Sequence, residues 1–186
     1  MKYCFFVFLL LFTTTTFYGQ NAQTDHVNSL HVRTGYAQAS IGQDYGAVFL
    51  SAGYDLSLNR FLSTEFSLTL ENGDAEFAKR TEAPRLPYHG LELRAGPSGK
   101  LPLFKTHSLS AGPYIGLSVT SRGLPGVDRN VFIFNETNLA YGVQATYSFP
   151  VGATTRLGLY YNLQAIGAFD SKLQVHRFGI AFIKLL

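Results

Sequence analysis

Cysteine is almost missing from this chain of 186 residues: the single one, Cys4, stands near the start. No disulfide is therefore possible within one copy, which excludes the disulfide-stapled class of small exported domains. Tryptophan is absent, and charged residues make up only 15%. The formal charge of +3 is too small to suggest a nucleic-acid binder. Beyond the N-terminus no uninterrupted apolar run of ~20 residues occurs, so a helical membrane bundle is excluded. Yet the mean hydropathy of +0.08 is high for a soluble domain. Aromatics reach 15%, from Phe and Tyr alone, which argues against disorder. A soluble all-β domain or a β-barrel in a membrane remains.

The N-terminal stretch reads as an export signal. Lys2 gives it a positive start, Cys4 to Phe12 is apolar, and the run is too short to span a bilayer. Residues 1–19 are expected to be a signal peptide and 20–29 a short periplasmic lead, with 30–186 as the barrel domain.

From Leu30 onward the hydrophobic period is two, the signature of half-buried strands. Eight segments alternate, among them Val48 to Leu56, Leu62 to Leu70, Leu109 to Val119, Leu139 to Phe149 and Leu157 to Leu163. Their apolar phase contains no Asp, Glu, Lys or Arg. The opposite phase carries Arg33, Asp55, Glu65, Glu92, Arg94, Arg156 and Arg177 among Gly and Ser. A soluble barrel fills its interior with the apolar phase, whereas a membrane barrel turns that phase to lipid. Near-balanced charges fit the second arrangement, because ions enclosed in a narrow lumen must pair. The expected lumen ion-pair network is Arg33, Glu65, Glu92, Arg94, Arg156 and Arg177.

Connection lengths agree in part. The long ones are expected at Ala37–Gly46, Glu71–Tyr88, Thr120–Asn138 and Ala165–Gln174. Turns are expected at Ser57–Phe61 and Pro150–Thr155, with an oddly long one at Gly96–Ser108 around Pro97-Ser98-Gly99. Tyr36, Tyr54, Phe61, Tyr88, Tyr141, Tyr147, Phe149 and Tyr161 suit aromatic girdles near strand ends.

With these features the chain resembles the small eight-stranded outer-membrane β-barrels of Gram-negative bacteria, the OmpA/OmpX-like superfamily. The resemblance rests on the leader, the eight segments, Gly-rich strands such as Ser110 to Gly116, and the C-terminal run Phe178-Gly179-Ile180-Ala181-Phe182. It implies an all-β, eight-stranded, antiparallel up-and-down transmembrane barrel in the outer membrane, monomeric and without cofactor. It also implies contact with outer-membrane lipid and lipopolysaccharide, and with the barrel-assembly machinery during biogenesis. Such barrels usually end on an aromatic, whereas here Ile183 to Leu186 follow Phe182.

The most concrete role is structural or surface-interacting, through outer-loop cations Lys79, Arg80, Arg85, Arg122 and Arg129. Two alternatives stand beside it: an exported soluble barrel with a small apolar ligand, and a lipid-modifying enzyme. For the enzyme, His176 is the candidate base, with Ser171 near enough in sequence to approach it. The five histidines show no metal-ligand spacing.

Overall fold

The computed structural model describes residues 27–39, 44–76, 86–103, 106–123, 132–166 and 173–186. Its strands are β1 (Ser29–Ala39), β2 (Asp44–Asn59), β3 (Leu62–Glu76), β4 (Leu86–Leu103), β5 (His107–Gly123), β6 (Phe132–Pro150), β7 (Thr155–Ile166) and β8 (Leu173–Leu185). Each pairs antiparallel with its sequence neighbours, and β1 pairs with β8 to close the barrel. Closure leaves no free edge, so the backbone satisfies itself as lipid demands. Among the described residues there is no helix.

The alternating phases take opposite sides of this wall. Val48, Leu93, Ile115 and Leu159 are among the most exposed residues, Leu159 at 62%. Their strand neighbours Arg33, Glu65, Glu92, Arg94 and Arg177 are buried, Arg94 at 5%. Greasy outside and ionic inside is the membrane arrangement; water on that exterior would be costly. The soluble alternative needs the apolar phase to point inward, and it points out.

Several strand ends differ from the sequence expectation. Gly96 to Leu103 is strand, not turn, and only the short 104–106 segment separates β4 from β5. The register brings Pro97 of β4 level with Pro113 of β5, and ladder pairing is interrupted between Ala95↔Ile115 and Gly99↔Ala111. Neither proline has an N–H to donate, so setting them opposite each other confines the loss to one place. A Cβ on Gly112 would stand 1.9 Å from the Pro97 carbonyl oxygen, the same close cross-strand approach seen at Gly35 and Gly73. Glu71 likewise belongs to β3 and points inward rather than opening a loop, and Arg122 lies in β5. Tyr88 is buried inside the barrel and is not a girdle residue. β8 runs past Phe182 to Leu185, so the residues after that aromatic complete the last strand.

The charged lumen

Every inward position is reached by alternation, and the six lumen ions come from four strands: Arg33 from β1, Glu65 and Glu71 from β3, Glu92 and Arg94 from β4, and Arg177 from β8. Arg33 of β1 donates to both oxygens of Glu65 of β3, at 2.5 and 2.8 Å. This two-point geometry fixes orientation as well as charge. The Arg33 guanidinium also lies 4.6 Å from the centre of the Tyr160 ring. Arg177 of β8 anchors a second cluster. It donates through Nε to Glu71, through Nη1 to Gln164 and to Asn162 (3.2 Å), and through Nη2 to Glu92 at 2.8 Å. Gln164 in turn donates to the same Glu92 oxygen at 2.7 Å. Asn162 and Tyr114 bond each other across the lumen.

Arg94 stands between the clusters. Its Nε donates to Ser67 at 2.6 Å, while its terminal nitrogens lie 3.8 Å from Glu65 and 4.0 Å from Glu92. Its guanidinium faces the rings of Tyr114 and Tyr160, at 5.1 and 5.8 Å. Arg33, Arg94 and Arg177 thus balance Glu65, Glu71 and Glu92 charge for charge. Apolar side chains, including Phe49, Tyr88 and Val175, pack with Tyr160 in the lumen towards the long connections.

Of the residues expected in the network, Arg33, Glu65, Glu92, Arg94 and Arg177 come together. Arg156 does not join them. It sits half-buried at the turn end and donates to neutral oxygens of Ser148, Ser108 and Thr106. Sequence reasoning missed Glu71, taken for a loop residue, and the neutral partners Asn162, Gln164 and Tyr114. Their signal was available: all lie on the polar phase of otherwise apolar strands.

His31, Asp55 and Glu65 also meet in space, with ligand atoms within 4.8 Å of one another. This is a donor set of the kind that holds divalent metals. Here, however, both Glu65 oxygens already accept from Arg33, and Arg94 adds a second positive charge nearby. The cluster is therefore served by internal cations and fits a metal poorly. His176 faces outward, where its Nδ1 lies 2.8 Å from the Tyr161 hydroxyl. Ser171, Lys79, Arg80, Arg85 and Arg129 lie outside the described residues.

A closed eight-strand wall with an apolar exterior and an ion-filled lumen decides the architecture. The fold is that of the small outer-membrane β-barrels. Solved structures of such barrels superpose on this chain. Neisserial surface protein A matches with a TM-score of 0.60 at 17% identity, covering 86% of this chain and 96% of that one. The attachment invasion locus protein Ail of Yersinia pestis matches at 0.50 and 14%, covering 85% and 98%. OprG from Pseudomonas aeruginosa matches at 0.50 and 9%, covering 88% and 99%. No family model and no curated protein matches the sequence. At these identities the likeness establishes the fold of this barrel, and its role must come from its own residues.

Proposed function

We propose that the chain is a non-conducting outer-membrane barrel that serves as a scaffold for its outer connections. The observation that carries this reading is the lumen. Buried arginines and glutamates cross it from strand to strand, and an apolar layer lies on top. A bore filled in this way offers no continuous water path, so transport is a poor fit and presentation of the outer end a good one. In this reading Lys79, Arg80, Arg85, Arg122 and Arg129 meet phosphate groups of lipopolysaccharide or a surface partner, among neighbouring acids that set the register. The barrel works as a monomer and enters the membrane through the assembly machinery.

Two measurements test it. Refolded protein in planar bilayers should give no stable conductance steps, and regular open-channel currents would refute the closed lumen. Trypsin added to intact cells should cut at Lys79, Arg80 or Arg85 while leaving the strands whole. Complete protection there, with cleavage only after the envelope is opened, would place that connection on the wrong side. Replacing Lys79, Arg80 and Arg85 by Gln should reduce the lipopolysaccharide that co-purifies with the barrel.

A further inference from the structure

Charge is distributed unevenly along the barrel axis. The lumen is balanced, and the end of β3 with the connection after it mixes Glu76 and Glu82 with Lys79, Arg80 and Arg85. The opposite end, where the short turns gather, is different. Its described charged side chains are Arg60, Lys100, Arg156 and Lys184 against Asp55, since Glu65, level with Asp55 in the ladder, is already matched by Arg33. Lys100 and Asp55 share the inward phase, and Arg156 is held at the mouth by Ser148 and Ser108. Arg60 and Lys184 are left facing out.

Both stand one step beyond an aromatic residue. Lys184 is exposed on the outward phase of β8, two residues after Phe182, which is itself 51% exposed. Its Nζ donates to Thr154 in the β6–β7 turn at 2.5 Å. Arg60, in the β2–β3 turn, lies over the ring of Phe61 at 4.5 Å from its centre. On another side of the same rim His107 packs against Tyr147 and Phe149, at 5.6 and 6.1 Å between centres. Aromatic rings mark the level where acyl chains give way to headgroups. A long cation just past that level lays its alkyl stem along the apolar wall and its charge among phosphates.

We infer that the turn end is a docking collar for anionic phospholipid headgroups, with Arg60 and Lys184 as its contacts. The inference rests on the membrane-embedded reading and adds a lipid preference to it. A cation beside an anionic membrane surface contributes on the order of 1 kcal/mol, or roughly a fivefold preference. Salt shortens the reach of such contacts.

The test uses the whole mature chain refolded into phosphatidylcholine vesicles containing spin-labelled phosphatidylglycerol or spin-labelled phosphatidylcholine. A heat-dependent gel shift first establishes insertion; its absence would strike the membrane reading itself, not the collar. With insertion established, the motionally restricted fraction should favour phosphatidylglycerol about three- to tenfold at low salt and lose that preference in 0.5 M NaCl. The double variant Arg60→Gln/Lys184→Gln should bring the ratio close to one. Arg60→Lys/Lys184→Arg should keep it. Equal association of the two lipids with the unaltered chain would overturn the collar, as would a preference that survives the double Gln variant.

Discussion

Arg177 and Arg156 have the same side chain on the same inward phase of adjacent strands, yet the barrel treats them differently. Arg177 is 1% exposed, and its guanidinium is surrounded by Glu71, Glu92, Gln164 and Asn162. Arg156, at the open turn end, is satisfied by serine hydroxyls and backbone carbonyls. The difference lies in access to water. Deep in the lumen a charge loses its hydration, and only opposite charge with full hydrogen bonding offsets that loss. At the mouth solvent does most of the work and neutral acceptors are enough.

That contrast sets the order of expected effects. Arg177→Met strands two carboxylates in a dry space and should cost most, about 3–5 kcal/mol, read as a fall in the urea midpoint in detergent micelles. Glu65→Ala removes the two-point partner of Arg33 and should lower the same midpoint by roughly 3 kcal/mol. Adding Arg33→Leu to Glu65→Ala should recover part of that loss, since the orphaned ion is then gone; a further fall would show that the pair's geometry matters more than its charge. Leu93→Arg, outward between Leu68 and Leu117, should cost about 2–4 kcal/mol in bilayers, because it places a cation in hydrocarbon. Arg156→Gln should stay within about 1 kcal/mol. An Arg156→Gln loss as large as that of Arg177→Met would erase the distinction between depth and mouth.

Much of this wall was legible in the sequence because a lipid-facing phase tolerates no ion and a period of two is hard to hide. The faces of β3 and β7 follow directly from Leu62 to Leu70 and from Leu157 to Leu163. Strand ends were harder, since turn chemistry and strand chemistry overlap. Pro97-Ser98-Gly99 reads as a turn until Pro113 is seen opposite, where the two missing donors coincide. Glu71 sat in a run of charges and was absorbed into the loop, although its spacing from Glu65 and Thr69 keeps it on the inner phase. Which arginine pairs with which glutamate depends on the register of several ladders at once. The link from Arg177 on the last strand to Glu71 on the third spans the lumen, and no local pattern encodes it.

The most direct test is a nitroxide scan of β7, one label at a time from Leu157 to Leu163, in a chain whose own Cys4 is replaced. Labels at 157, 159, 161 and 163 should collide readily with oxygen dissolved in the bilayer, and those at 158, 160 and 162 should be shielded from it. The reverse phase, or no alternation at all, would contradict a barrel that turns its hydrocarbon outward and encloses its ions.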